Sequence, residues 1–588
     1  MKASNYNSTF FIIVLFLTQN ACTDLFDLEK RPKDEISSAD YWQTANDIKL
    51  YTNQFYPSAF PVSGSDRYEN IFSEETPSDD MVFVEADPRL RGSRSVPANG
   101  GFEEYSNIRS VNVLLENYEN VEDNFDDYKQ YIGEAHFFRA KFYFNLVKEF
   151  GAVPLIDQPL DTESEALYKA RTPRNEVVDF IIADLDSAIV LLPPGPQEGG
   201  TRLNQQIAQL LKSRVALYEG TWEKYHQNDP FGVRDPNPEK YLEQAVEASE
   251  SIIDSGIYSI SSSNNPQWDY FNLFGRVDYS NNSEVLLWKK YNIEQELGHA
   301  RQFQMGTGQS GGSGLTKSLV ESYLCTDGRP ISLSAGAKNP LYLGDGSLES
   351  VVSNRDPRLT QTVFTPGFPI QISGVDTLMR FERPVVEVAA HTKNTTGYQI
   401  NKMLNFDPIH HASQTTSAVG FTGWVIMRYA EVLLNYAEAK AELGTLTQND
   451  LDNSINLLRQ RVDMPDLNIN VGYTDPNWNF PQLSPIINEI RRERRVELVA
   501  EGFRWDDIAR WAAADELIIG QRLLGAKFND VDYPDLDAQD FRLTNGYFDE
   551  LKNQLPNGYE FDPNRDYLSP ISTEELTLNS ELEQNPGW

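Results

Sequence analysis

Apolar residues recur at helical spacing in adjacent pairs of segments along this chain, and that pairing limits the fold more than any other feature of the sequence. Ile108, Val111, Leu114 and Leu115 mark one face of a helix, and a longer apolar segment over 128–150 follows it and stops at Gly151. Val178, Ile181, Ile182, Leu185 and Ile189 mark a second pair's first helix over about 175–192. Pro193, Pro194 and Gly195 break the chain before its partner over about 205–222. Further helices are predicted over 241–255, where Ala245 and Ala248 are small enough for close packing, and over 428–443 and 451–462. Such pairs predict a mainly α fold of tetratricopeptide-like helical hairpins, although no strict repeat length is visible.

Between about 258 and 424 the character changes. Short apolar stretches, Val285 to Trp288 and Gln361 to Phe364, stand among many Gly, Asn, Ser and Pro residues, which predicts a loop-rich region with a few short strands. The run from Gly306 to Gly314 has five glycines in nine positions but lacks the Lys-Ser/Thr end of a phosphate-binding loop, and it reads as a mobile surface loop. No Gly/Ser or Pro tract divides the 588 residues into independent units. The expected organisation is one body over 41–588, with helical hairpins over about 41–257 and 425–515, the loop-rich region over 258–424 and a C-terminal segment over 516–588.

The N-terminus carries an address. Lys2 precedes an unbroken apolar run, Phe10 to Leu17, of signal-peptide length and too short to span a bilayer. Ala21 and Cys22 follow, so a lipoprotein signal peptidase would remove 1–21 and leave Cys22 for acylation, although Gln19 and Asn20 depart from the usual lipobox. A plain secretory cleavage near Ala21 is the alternative. Several acyl chains would hold the body on a membrane, each buried methylene contributing about 0.8 kcal/mol. The acidic, polar stretch 22–40 reads as a tether.

A formal charge of −36 works against phosphate backbones, so nucleic acid is a poor partner. Two cysteines, Cys22 and Cys325, give no disulfide framework, and Cys325 reads as an inert core thiol. Six histidines show no metal-ligand spacing, His410 and His411 read as surface loop residues, and no EF-hand spacing is present. No cofactor is therefore expected and no metal ligand is singled out, calcium among the many carboxylates being the one metal reading left. Gly308, Ser310 and Gly312 match the G-x-S-x-G elbow formally, but no apolar strand leads into it. A glycoside hydrolase needs two carboxylates roughly 5–9.5 Å apart, and nothing among 87 acidic residues singles out such a pair.

Five blocks then occur in a particular order. Gly133 to Gly151 ends in Ala-Val-Pro-Leu155; Arg355-Asp-Pro-Arg-Leu359 follows, then Met427-Arg-Tyr-Ala-Glu-Val-Leu-Leu-Asn-Tyr-Ala-Glu-Ala439. Arg491-Arg-Glu-Arg-Arg-Val-Glu-Leu498 leads to Glu501-Gly-Phe-Arg-Trp-Asp-Asp507 and Arg510-Trp511, and the chain closes on Tyr567-Leu-Ser-Pro-Ile571 and Gln584-Asn-Pro-Gly-Trp588. Together they resemble the SusD/RagB family of nutrient-binding outer-membrane lipoproteins. The resemblance implies a cell-surface binding protein, not an enzyme, that captures oligosaccharides and delivers them to a SusC-like TonB-dependent transporter. Capture of peptides, or gating of the transporter without tight ligand binding, are the other readings. In physical terms the blocks look structural, since Arg and Glu at helical spacing can pair and Trp505 and Trp511 can pack helices together.

Sugar recognition needs flat apolar faces for C–H groups and amide, carboxylate or guanidinium groups for hydroxyls. A first platform is expected from Trp268 and Tyr270, set among Asn and Ser and read as exposed, with Trp288 and Tyr291. A second is expected from Asp79 and Asp80 through Arg89, Arg91 and Arg94 to Phe102, because ligand sites of the resembled family draw on the corresponding loop. Core packing is the ordinary role for any one of these aromatics, Trp288 above all.

Overall fold

A computed structural model describes residues 41–61, 72–161, 163–295, 297–334, 336–388, 392–411 and 420–588. The expected signal segment, Cys22 and the tether lie outside the described residues. The longer helices are α1 (Ala45–Asn53), α2 (Glu104–Asn117), α3 (Phe125–Phe150), α4 (Arg174–Leu191), α5 (Gln205–Tyr225), α6 (Pro238–Ser255), α7 (Tyr429–Glu442) and α8 (Pro485–Leu498), with α9 (Arg504–Arg510) after them. None of the described helices is long and apolar enough to cross a membrane.

Local chemistry sets the helix ends. The Asn124 side chain accepts from the Asp126 amide to start α3, and Asn204 caps α5 through the Ile207 amide. Pro238 and Pro485 occupy first-turn positions, where the missing amide costs nothing, and Gly256 closes α6 with a left-handed φ of 60°. Each helix from α2 to α7 packs on its neighbour, α8 packs on α7, and α1 and α9 lean on α3 and α5. At the α5–α6 contact a Cβ on Gly220 would stand 2.9 Å from Leu242 Cγ, so glycine is what lets the two helices approach. The result is a mostly helical stack of tetratricopeptide-like hairpins.

The helix expected over 451–462 is two short ones, Gln448–Asp452 and Ile455–Arg461. Thr447 and Asp450 form a capping box that starts the first early, and Ser454 leaves helical geometry between them. Strands occur as antiparallel two-strand ribbons: Met81–Phe83 with Ser313–Leu315, Val285–Lys289 with Trp424–Arg428, and the hairpin Pro369–Ser373 with Asp376–Arg380 among them. Gln361 to Phe364 forms no strand; Val363 makes one bridge to Ile400, while the Gln361 side chain is spent on the Phe271 amide. The glycine run is not a surface loop. Ser313–Leu315 is fully buried against Met81–Phe83, and a Cβ on Gly314 would meet Thr396 Oγ1 at 2.3 Å. Cys325 is buried, as its apolar surroundings suggested.

The charged blocks of the sequence converge in the interior. Arg428 reaches Glu497 at 2.7 Å and Glu284 at 3.0 Å, Arg461 reaches Glu497 at 2.7 Å, and Arg358 reaches Glu497 at 3.0 Å. Burial would raise the Glu497 carboxyl, yet these three guanidiniums hold it far below the ordinary carboxylate range. A second centre joins α7 to α9: Arg510 grips Glu438 through two bonds of 2.6 and 2.8 Å, and the Trp511 indole donates to the same carboxylate at 2.8 Å. Buried charge on this scale is tolerable only because nearly every partner is present.

Candidate ligand-binding groove

The expected platform residues are dispersed. Trp268 remains half-buried, its ring 5.5 Å from Phe368, 5.6 Å from Phe271 and 6.1 Å from Phe406. Tyr270, expected to be exposed, is fully buried, because the short helix Asp269–Leu273 turns it inward, where its hydroxyl donates to the Glu497 carbonyl at 2.6 Å. Trp288 is buried and its indole donates to the Gly199 carbonyl at 2.8 Å; Tyr291 is buried edge-on to His299 at 4.9 Å.

Asp79 and Asp80 are buried in ion pairs, Asp79 with Arg504 at 2.6 Å and Asp80 with Arg495 at 2.6 Å. Against the burial that would raise it, Arg495 and Arg504 hold the Asp79 carboxyl below its ordinary range. Arg89 lies 4.8 Å over the Trp505 ring and pairs with Glu149 at 2.9 Å, and Arg94 donates to the Leu568 carbonyl at 3.0 Å. Phe102 rests half-buried on Phe150 at 5.3 Å, and Arg91 is exposed. The segment from Asp79 to Phe102 therefore binds α8, α9 and the C-terminal segment to the body. His410 and His411 are buried rather than on the surface: His411 fills the space beside Gly306, where a Cβ would stand 2.2 Å from its ring.

Two adjoining clefts, of about 560 and 590 Å³, meet at Phe274 and Gly275. Ser261, Ser262, Ser263, Asn272, Arg276, Asn405 and Phe406 line the first, and Phe406 joins it to the Trp268 ring. Its serine turn is shaped by Asp269, whose carboxylate accepts from Ser262 Oγ at 2.7 Å and from the Asn265 amide at 3.0 Å. Burial opposes ionisation of Asp269, but the serine bonds prevail and hold it below its ordinary range. The ridge between the clefts is pinned: Asn405 donates to the Gly275 carbonyl at 2.7 Å, and a Cβ on Gly275 would come within 2.7 Å of the Leu404 carbonyl.

The second cleft is built on Trp424, half-buried in its ribbon opposite Lys289. The Arg301 guanidinium lies flat on it, 3.7 Å from the ring centroid, and pairs with Glu74 at 3.0 Å. His299 stands edge-on to Trp424 at 5.6 Å and donates from Nε2 to the Thr422 carbonyl at 2.9 Å. Burial pushes this imidazole down to about 4, so it is neutral at pH 7. With the proton on Nε2, its buried Nδ1 is an acceptor that no group among the described residues fills. Glu501, the other carboxylate of this cleft, accepts from Arg428 at 2.7 Å and from Lys402 at 2.6 Å. Trp424, Arg301, His299 and Phe406 were not singled out from sequence; the nearest signal was a tryptophan in a short apolar run of the loop-rich region. Among the described residues no group of three or more His, Cys, Asp or Glu side chains is disposed to hold a metal.

The sequence model of the SusD family matches residues 265–588, and a second model, described as starch-binding and associating with the outer membrane, matches 96–217. SusD-like protein P38 of Formosa agariphila is 24% identical over 537 residues, covering 88% of this chain and 93% of its own. Among solved structures, a SusD-like carbohydrate-binding protein of Bacteroides fragilis superposes with a TM-score of 0.68 at 23% identity, covering 92% of this chain and 100% of its own. A laminarin-binding SusD-like protein superposes at 0.54 with 20% identity, over 93% and 100% of the two chains. At these identities the structural likeness establishes the fold.

Proposed function

Because this chain belongs to the SusD family, we propose that it is a glycan-binding protein of the outer-membrane surface, with the double cleft lined by Phe406 and Trp424 as its binding groove and Trp268 packed behind Phe406. The observation that carries this reading is the pairing of half-exposed aromatic rings with serine hydroxyls, amides, a stacked guanidinium and an imidazole acceptor unfilled among the described residues, along two adjoining clefts. Sugar rings stack on such faces while their hydroxyls satisfy the polar groups. On this reading the groove holds its ligand and breaks no bond: the two carboxylates that line the second cleft among the described residues are engaged by cations, which leaves neither poised as a general acid. On this reading Cys22 is acylated, the stretch 22–40 tethers the body, and captured oligosaccharide passes to a SusC-like TonB-dependent transporter.

A panel of polysaccharides, laminarin included, run in affinity gels against the full-length protein in detergent tests the proposal. Retardation by a glycan without new reducing ends is expected, with Trp268→Ala and Trp424→Ala each weakening it about five- to 150-fold, the roughly 1–3 kcal/mol of a truncated aromatic at a binding site. Retardation by no glycan, binding of peptides instead, or steady release of shorter sugars would refute it.

A further inference from the structure

Lys141 stands on α3 at one end of the second cleft, half-buried. Its Nζ donates to Asn145 Oδ1 at 2.6 Å, and among the described residues no carboxylate lies within ion-pair reach of it. The cations around it are already matched. Lys148 pairs with Asp506 at 2.8 Å, Arg214 on α5 with Glu431 on α7 at 2.6 Å, and Arg301 across the cleft with Glu74 at 3.0 Å. Of the acidic groups near Lys141, Asp506 on α9 is paired with Lys148 and Glu501 with Arg428 and Lys402, while Glu104 on α2 meets no described cation and is held by the Asn145 amide at 2.7 Å, one side chain away from the Lys141 ammonium.

A desolvated ammonium without a counter-charge is unfavourable, and a methionine would fill the same space without that penalty. Every other cation named in this neighbourhood has a carboxylate in contact, so among the described residues Lys141 is the cation of this cleft left without one. Resting on the glycan reading above, we propose that the second cleft takes a sugar unit bearing an anionic substituent, a uronate carboxylate or a sulfate ester, with Lys141 as its counter-ion. The ring of that sugar faces Trp424 and the Arg301 plane, and the charged substituent reaches toward α3.

The proposal has a thermodynamic signature. Burial, aided by Lys148 and Arg214, pushes the Lys141 amine down to about 7, with Glu104 and Asp506 opposing. In the empty cleft the amine is therefore mostly neutral at pH 8, and an arriving anion favours its protonation. Binding takes up a proton. If the bound amine titrates well above 9, affinity falls about tenfold from pH 6 to pH 8, since the competent protonated fraction falls by that factor. Sulfate esters and uronates stay ionised throughout this range, and His299, titrating near 4, contributes nothing to it. Lys402 titrates near 8 but is bound to Glu501 and to the Val499 carbonyl.

Calorimetric titration of the full-length protein in detergent, in buffers of different ionisation enthalpy, distinguishes the cases. The probes are a hexameric oligouronate, a sulfated oligosaccharide of equal length and a neutral hexameric glucan. One or both acidic probes are expected to bind more tightly than the neutral one, with close to one proton taken up at pH 8 and about tenfold weaker binding than at pH 6; which of them binds identifies carboxylate or sulfate. Lys141→Met is expected to melt no lower than the wild type and to lose both the preference and the uptake. Lys141→Arg, a cation that stays charged, should bind equally at both pH values without uptake. Equal binding of neutral and acidic probes, or acidic binding without uptake, overturns the inference and leaves the glycan reading standing. Binding of none of the three in this assay, together with no retardation in the polysaccharide panel, removes both.

Discussion

Arg510 and Glu438 show how charge is used at single positions. Burial alone would raise the Glu438 carboxyl, but Arg510, with Arg494 and Arg491 behind it, brings it down to about 2. An unfolded glutamate titrates near about 4.3, so this carboxylate contributes stability that is complete above that value and is lost as the pH falls toward about 2. Arg510→Met is expected to lose about 3–5 kcal/mol at pH 7 by urea unfolding, because it strands Glu438 in the interior. The gap to the wild type should then narrow between pH 5 and pH 2.5, and an unchanged gap would contradict the assignment. Single side chains were also where reading the sequence succeeded least evenly. Trp268, set among Asn and Ser, keeps an open face, whereas Tyr270, in the same setting, is carried inward by one helical turn. Trp424 lies in the run Gly423 to Met427, and nothing within that run reveals that its strand pairs with Val285–Lys289 while the ring stays half-buried.

Elements were easier to read than residues, because helix periodicity and caps are local. The segments expected over 128–150, 175–192 and 205–222 correspond to α3, α4 and α5 within a few residues, and Gly151 and Asn204 mark ends that their chemistry dictates. The glycine-rich run failed for the opposite reason: nothing near Gly314 in sequence reveals Met81–Phe83 or Thr396, the partners that bury it. The α5–α6 seam offers a test at this scale. Gly220→Ala places a methyl 2.9 Å from Leu242 Cγ, and despite the gain in helix propensity it should cost about 1–3 kcal/mol through overpacking. Gly220→Ala with Leu242→Ala should recover part of that loss, and two additive losses in thermal unfolding would show that the seam is not tight.

For the molecule as a whole, the proposed place on the cell surface depends on Cys22, which lies outside the described residues. Cys22→Ala is expected to move the protein from the outer-membrane fraction to the soluble fraction in cells lacking the transporter; retention in the membrane would point to another means of attachment. The body attached there owes its cohesion to contacts that no short segment can make alone. Glu497 on α8 is reached by Arg358, 139 positions earlier, and by Arg428, 69 positions earlier, while Glu284 is joined to Arg461 across 177 positions. Arg358 keeps its neighbour Asp356 at 2.7 Å, but Glu497, Glu284 and Arg428 are compensated only when the loop-rich region, the α7 hairpin and α8 have met, and closing the centre carries the entropy of those long loops. The same closure buries apolar residues of α8, Val496 among them, against the loop-rich region, so wherever this junction opens it shows water charge and apolar surface together.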